Sequence, residues 1–180
     1  MRFTKIWPAT KIILIVLALF TLTGCLEDLN PDGDDKRTDT SIGGNNSPLA
    51  ADFIELSTVN ETIQLSSELM SYDAVVLYYT MWCPICDSHM SHMRSNIMDN
   101  YQNVRFLTVD YVSGSISQAR NTQVSNGYAS FTVIADTDQS LIDQFNATMG
   151  TTLVIDDEYK ILMNEDYKNG ARLIEVLEAL

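Results

Sequence analysis

Two of the three cysteines stand three positions apart, in the run Cys83-Pro84-Ile85-Cys86. A disulfide between them would close a loop too small to stabilise the chain much through the entropy of the unfolded state. The spacing therefore favours chemistry, either thiol–disulfide exchange or soft metal binding, over a purely structural cross-link. An inert disulfide is the plainer alternative. A zinc ribbon would need a second pair of ligands, and the third cysteine, Cys25, is far away in the sequence.

The segments around this pair would place its first sulfur where thiolates are stabilised. The apolar run 74–79 predicts a buried central strand that leads directly into Trp82 and Cys83. A helix is expected to begin at Pro84, because the missing N–H of proline is not needed in a first turn. Cys83 would then lie at the helix N-terminus, whose dipole favours the thiolate, and would be the more acidic and more exposed thiol. Cys86, half a turn deeper, would release a mixed disulfide formed at Cys83.

The rest of the domain alternates strand and helix patterns, which predicts an α/β fold. After two short strands near 53–56 and 62–65, the order is β-α-β-α and then β-β-α, with a hairpin at 152–155 and 159–162. The last helix is expected to carry Leu173, Ile174, Leu177 and Leu180 on one apolar stripe. We expect a central mixed β-sheet flanked by helices, with an extra β-hairpin at the N-terminal side.

Thioredoxin-like proteins have an active site that resembles residues 77–86, LYYTMWCPIC. The strand pair before it and the later segment 153–156 are similar to the TlpA/ResA/redoxin branch, whose members are exported, membrane-tethered thiol-disulfide oxidoreductases. The resemblance covers about residues 52–180. It implies a thioredoxin-like fold, Cys83 as the nucleophile, Cys86 as the resolving thiol and Trp82 packed beside the pair. It implies no cofactor.

Three departures from the pattern of the family matter. The family places a cis-proline opposite the cysteines, but the corresponding residue here is Gly150, and no proline follows Pro84. We therefore expect Gly150 to face the sulfurs and to leave them less covered. The proline that kinks the active-site helix corresponds to Ser91, which predicts a straighter helix. The buried acid of thioredoxins corresponds to Leu77, and the glutamate that the branch often has instead corresponds to His89.

The two histidines lie off the core face of the helix that follows Cys83. At about 100° per residue, the core stripe consists of Cys86, Met90, Met93 and Ile97. His89 falls at the edge of this stripe and His92 on the solvent side. His89 could be a boundary residue, a group that handles protons or sets a thiol pKa, or a third ligand beside the cysteines. Cys83, Cys86, His89 and His92 form a ladder with a spacing of three residues. These four ligands could not converge on one metal, because each three-residue step rotates around the helix.

Two functions remain open at this point. The first is a thiol-disulfide oxidoreductase that acts on exported proteins or apo-cytochromes without metal or other cofactor, with the direction of electron flow undetermined. The rival is a non-enzymatic module that handles copper, with Cys83 and Cys86 as soft ligands. The glycine at position 150, in place of the cis-proline, favours the rival.

The first 25 residues have the pattern of a targeting segment. Arg2, Lys5 and Lys11 precede an apolar run at 12–22 that is too short for a lasting membrane span. The run ends in LTGC at 22–25, which resembles a lipobox, the signal at which bacteria attach lipid to the cysteine, here Cys25. A plain signal peptide is the alternative. We predict a signal peptide at 1–24, the lipidated Cys25 with a flexible acidic tether at 25–51, and the folded domain at 52–180.

The chain is strongly acidic, with a formal net charge of −13. Removing residues 1–24, which hold three of the eleven bases and no acid, changes this to −16. Such a surface repels phosphate backbones, so nucleic acid is excluded as a partner. The expected partners are envelope or exported proteins with cysteines, and the membrane through the lipid on Cys25. Leu26 is not the aspartate that retains lipoproteins in enteric inner membranes, which favours the outer membrane slightly.

Overall fold

The computed structural model describes residues 47–180. The predicted signal peptide, the predicted lipidation site Cys25 and most of the predicted tether lie outside the described residues and stay predictions. Within 47–180, no helix combines the length and the apolar character that crossing a bilayer requires.

The domain consists of short strands and helices in the order that the sequence pattern predicts. The strands are β1 (Ile54–Leu56), β2 (Thr62–Gln64), β3 (Ala74–Thr80), β4 (Val104–Asp110), β5 (Val133–Ala135), β6 (Thr151–Asp156) and β7 (Ile161–Asp166). The α-helices are α1 (Leu65–Leu69), α2 (Pro84–Asn96), α3 (Ile116–Ser125), α4 (Ser140–Gln144) and α5 (Ala171–Leu177), and a 3₁₀ turn spans Met98–Asn100.

A five-stranded mixed sheet forms the centre of the domain, in the order β5-β4-β3-β6-β7. β3 is parallel to β4 and antiparallel to β6, and β7 closes the edge antiparallel to β6. β1 and β2 form a separate antiparallel hairpin. The predicted α/β fold, with its mixed sheet and N-terminal hairpin, is therefore confirmed. All seven residues of β3 are buried, as a central strand with apolar side chains on both faces requires.

Side chains alternate across β3 and divide the core into two layers. Leu77 and Tyr79 pack on the side covered by the hairpin, α1 and α4. Val76 and Tyr78 pack on the other side, under α2 and α5. The predicted core stripe of the helix after Cys83 is confirmed, since its four residues are at most 3% exposed: Cys86, Met90, Met93 and Ile97.

The chain joins the domain slightly before the predicted start at Asp52. The Ala50 N–H donates to the Tyr159 carbonyl at 2.8 Å, and Leu49 forms a β-bridge with Lys160. Ala50 is 7% exposed and belongs to the core. The last strand also begins later than predicted, at Ile161, because residues 157–160 form the turn that leads into it.

Candidate active site

Cys83 and Cys86 lie at the junction between the end of β3 and the start of α2. Cys83 is the N-cap residue of the helix, with extended backbone dihedrals, and Pro84 occupies its first turn. The Cys86 N–H donates to the Cys83 sulfur at 3.2 Å, and the two sulfurs are 2.7 Å apart, with one thiol donating to the other. Cys83 is partly exposed, whereas Cys86 is fully buried. One sulfur can therefore meet a partner molecule, and the second lies directly behind it.

The two thiols share a proton, and their pKa values shift in opposite directions. Burial raises the pKa of Cys83, and the contact with the Cys86 sulfur raises it further, against the lowering effect of the Cys86 N–H. Burial also opposes the ionisation of Cys86, but hydrogen bonds from Cys83, the Met81 backbone and Thr80 lower its pKa overall. This reverses the sequence expectation that Cys83 is the more acidic thiol. Because the two sites interact strongly, the proton belongs to the pair.

Trp82 is held beside the pair by the neighbouring strand. Its φ of 60° lies in the left-handed region, which is costly for a bulky residue and must be compensated by contacts. The Trp82 backbone N–H donates to the Thr80 hydroxyl at 3.0 Å, and its indole Nε1 donates to Asp110 at 2.8 Å. Asp110 is fully buried at the end of β4. Sequence reasoning missed Asp110. Its place at the end of an apolar parallel strand could have revealed it, because the carboxyl end of that strand lies at the same sheet edge as the cysteines.

A cluster of aromatic and imidazole rings surrounds His89. The Tyr78 hydroxyl is 3.0 Å from Nδ1 of His89. The ring centroids of His89 and Tyr167 are 4.8 Å apart, and the Tyr167 hydroxyl is 2.6 Å from Nδ1 of His92. Tyr78 therefore has a polar contact with His89, where the sequence indicated only packing. His92 is half-buried against Tyr167 and not on the solvent side as predicted.

His89 stays largely neutral near pH 7 in this cluster. Burial lowers its pKa, the Asp166 carboxylate raises it, and the neighbouring His92 lowers it again. Its Nδ1 faces the Tyr78 hydroxyl at 3.0 Å and neither sulfur directly. A neutral imidazole at this place can accept a proton from the phenol side.

Gly150 borders the His89 side of the site. Its N–H donates to the Tyr79 carbonyl at 2.9 Å, its carbonyl accepts from the Tyr167 N–H at 2.8 Å, and an added Cβ would lie 4.0 Å from the His89 ring. Its φ of +87° requires glycine or a strained residue, and no peptide bond among residues 47–180 is cis. The sequence predicts that Gly150 leaves both sulfurs exposed to solvent. Cys86 is fully buried, however, so the exposure is limited to Cys83.

Among residues 47–180, potential metal ligands do not gather around the cysteines. In the described part of the chain, three potential ligands do come together at another place. They are Glu55, Asp136 and Asp138, whose ligand atoms all lie within 4.8 Å of one another. His89 Nδ1 faces Tyr78, so the ladder of Cys83, Cys86, His89 and His92 does not converge. The two sulfurs could still bind a soft ion as a pair.

The fold and the cysteine pair at a helix start define the class of thioredoxin-like proteins. More specifically, the model of the AhpC/TSA family matches residues 48–163, which is more than half of the chain. The chain therefore belongs to the AhpC/TSA family. This membership supports a thiol-based redox enzyme in general, and the particular reaction is a separate question.

Solved structures at low sequence identity share the fold. The pneumococcal exposed lipoprotein thioredoxin from Streptococcus pneumoniae is 22% identical, with a TM-score of 0.59 over 72% of this chain and 100% of that one. A putative thiol:disulfide interchange protein DsbE from Chlorobium tepidum is 20% identical, with a TM-score of 0.62 over 77% and 99%. Peroxidoxin BcpB from Mycobacterium tuberculosis is 19% identical, with a TM-score of 0.60 over 74% and 94%. No curated protein matches the sequence.

Proposed function

We propose that this chain is a thiol-disulfide oxidoreductase that exchanges disulfides with other proteins through Cys83 and Cys86. One observation carries the proposal: a partly exposed sulfur caps a helix, and a fully buried sulfur lies 2.7 Å behind it. Such a pair can form a mixed disulfide with a partner and then release it without a second molecule. Membership of the AhpC/TSA family agrees with thiol chemistry at this place.

The reaction needs no group beyond the two thiols and the partner disulfide. The shared proton passes from Cys83 to Cys86 as the Cys83 thiolate attacks one sulfur of the partner, whose S–S bond breaks and whose other sulfur leaves as a thiolate. Cys86 then attacks the Cys83 sulfur, and the second partner sulfur leaves as a thiolate. Two electrons have passed from the pair to the partner, and the pair is now a disulfide. The reverse sequence oxidises a partner dithiol, and the relative reduction potentials set the direction.

We place the enzyme in the bacterial cell envelope, attached through a lipid on Cys25. Support comes from the lipobox-like residues 22–25 and from similarity to a protein described as an exposed lipoprotein thioredoxin. An envelope location gives access to exported proteins that carry cysteines or disulfides. Leu26 favours the outer membrane over the inner one.

Single-cysteine variants, made in a Cys25→Ser background, test the exchange mechanism. A Cys86→Ser chain should accumulate mixed disulfides through Cys83, visible as higher bands on non-reducing gels that disappear on reduction. A Cys83→Ser chain should accumulate none, because its remaining sulfur is buried. Equal trapping by both variants, or by neither, would contradict the mechanism.

The same preparations separate the enzyme from a copper-handling module. Metal content and free thiols of the reduced chain should be measured after exposure to copper(I) and again after passage over a competing chelator. An enzyme should cycle between two free thiols and none in metal-free buffer. Retention of about one copper per thiol pair, with no exchange activity, would identify the rival function.

A further inference from the structure

We infer that Asp87 selects the partners of the cysteine pair, and that the site reacts faster with disulfides flanked by lysine or arginine than with disulfides flanked by acids. The inference rests on the proposed exchange function and names its substrate class. The partner is a protein segment in which the reactive cysteine lies beside a positive charge and apolar residues. Asp87 is a specificity-determining residue, because its carboxylate would contact the partner beside the reacting sulfur.

Asp87 carries the one formal charge close to Cys83 in the chain. It directly follows Cys86, and the next charged residues on either side are Asp73 and Arg94. The Asp87 N–H donates to the Cys83 carbonyl at 2.9 Å, which fixes its backbone at the start of α2, and its side chain is exposed. A partner disulfide that reaches the Cys83 sulfur therefore comes close to this carboxylate.

A buried tyrosine fixes the direction of the Asp87 side chain. The Tyr128 hydroxyl is 2.6 Å from Asp87 Oδ1 and 3.0 Å from the Asp87 carbonyl oxygen, and it donates to both. Tyr128 is 1% exposed, and its ring centroid is 6.3 Å from that of Trp82, the residue before Cys83. The carboxylate is therefore held at one place beside the helix start, whereas an unanchored acid would sample several rotamers.

No base forms an ion pair with Asp87 in the part of the chain that the structure describes. The next base along α2 is Arg94, about two helical turns further on. Its guanidinium lies over the ring of Tyr128, with Cζ 5.1 Å from the ring centroid. The charge of Asp87 is therefore not cancelled by direct contact, and a cation of the partner can provide that contact.

Other exposed side chains around the sulfur are apolar. Met81 and Ile85, two positions before and after Cys83, are 45% and 57% exposed. Val112 is 47% exposed and lies in the loop after β4, whose last residue accepts the hydrogen bond of the Trp82 indole. These side chains can pack against apolar groups of a partner, and none of them can pair with an acid.

The charge of the whole chain acts in the same direction over a longer range. The formal net charge is −13, so cationic partners are attracted and anionic ones are repelled before contact. Salt weakens this effect beyond about 10 Å at 0.1 M. A test of Asp87 must therefore separate its local effect from the effect of net charge.

Three peptide disulfides that differ in one side chain provide this test. Each is a symmetrical disulfide of a tripeptide, blocked at both ends, that contains leucine, cysteine and then lysine, glutamine or glutamate. The full-length chain in neutral detergent, carrying Cys25→Ser to leave one thiol pair, is reduced and mixed with each disulfide at low ionic strength. Cys83 attacks one peptide sulfur and the first peptide thiolate leaves, and Cys86 then displaces the second. Acid quenching, alkylation and a count of the remaining thiols give the second-order rate constants.

The readout is the ratio of the rate constants for the lysine and glutamate peptides, divided by the same ratio for free 2-mercaptoethanol. The same thiolate attacks every peptide, so a change in its nucleophilicity cancels from this ratio. Asp87→Asn should lower the ratio about fivefold, as expected for opposite unit charges roughly 7 Å from a carboxylate in dilute buffer. Asp87→Lys should lower it further, and Asp87→Glu should retain most of it. Molar salt should bring the parent close to Asp87→Asn.

Asp157→Asn is the matched control. It changes the net charge by the same amount, but in the turn after β6, whose last residue pairs with the first residue of β3, at the end of the sheet remote from Cys83. Its ratio should equal that of the parent. Selection by Asp87 is overturned if Asp87→Asn keeps the parental ratio, or if Asp157→Asn lowers it equally. A parent that none of the three peptides oxidises would instead overturn the exchange function, and the selection with it.

Discussion

The indole Nε1 of Trp82 donates a 2.8 Å hydrogen bond to the buried carboxylate of Asp110, 28 residues further along the chain. The contact joins two parallel strands at their carboxyl ends, where Thr80 and Asp110 are partners in the ladder. Asp110 also accepts from the Ser113 N–H and hydroxyl. The residue that immediately precedes the exposed cysteine is therefore fixed by a neighbouring strand, and not by its own loop alone.

Asp110→Asn should destabilise the domain and loosen Trp82. The amide keeps the shape of the side chain, but its nitrogen cannot accept a hydrogen bond. One pair of the donors that point at Asp110 therefore loses its acceptor, at a cost of about 1–3 kcal/mol. The free energy of unfolding in urea and the wavelength of Trp82 emission, in a Trp7→Phe background, measure both effects. Asp157→Asn changes an exposed carboxylate and should alter neither. An Asp110→Asn chain with parental stability and emission would contradict the role of Asp110.

Gly150 should resist every substitution, including the proline that the resemblance to thioredoxin-like proteins would place there. Gly150→Ala should cost about 1–2 kcal/mol, because a φ of +87° strains any side chain. Gly150→Pro should cost more, because it fixes φ near −65° and removes the N–H that donates to Tyr79. Urea denaturation measures both. Gly114→Ala, at a glycine without positive φ, is the control and should change little. A stabilised Gly150→Pro chain would show that the backbone at this position differs from the one described.

Glu55→Gln should stabilise the domain at neutral pH. Burial and the nearby carboxylates of Asp136 and Asp138 raise the pKa of Glu55, so its ionised form is disfavoured in the folded state. The parent therefore loses stability as the pH rises through this raised pKa, and the variant does not. The gain should be roughly 0.2–1 kcal/mol at pH 7 and should vanish below about pH 4, where the glutamate is also protonated when unfolded. Unfolding curves at both pH values measure it, and Glu61→Gln, at an exposed site, should show no such difference.

Cys25→Ser should release the protein from the membrane fraction or leave its signal peptide uncleaved. The reason is that the lipobox-like residues 22–25 lose the sulfur to which lipid would be attached. Cell fractionation and the apparent mass on gels measure both outcomes. The double change Cys83→Ser with Cys86→Ser is the control and should leave localisation unchanged. Normal processing and membrane retention of Cys25→Ser would exclude the lipid anchor.

Local pattern was sufficient for the strand and helix that carry the cysteines. A continuous apolar run can be buried only in the centre of a sheet, and Pro84 after Cys83 fits a helix start, so β3 and α2 followed from adjacent residues. The core stripe of α2 was also predictable, because helical phase depends on sequence spacing alone.

The partners of the site were not predictable in the same way. Helical phase put His92 on the solvent side, but Tyr167, 75 residues later, covers that side after β7. Tyr78 belongs to an apolar run, and only the placement of α2 over it brings its hydroxyl to His89. The acidity of the two thiols depended on a hydrogen bond between them, which the position of a helix end does not specify.

The entry of the chain into the fold has a consequence for orientation. Residues 48–50 attach beside Lys160, next to the end of β6 where Asp156 pairs with Ala74 at the start of β3, whereas Cys83 follows the other end of β3. Residues 48–50, where the chain enters the fold, and the reactive Cys83 sulfur therefore lie at opposite ends of the central strand, roughly 20 Å apart. A partner can therefore reach the partly exposed Cys83 sulfur at one end of β3 without meeting residues 48–50, which join the domain at the other end.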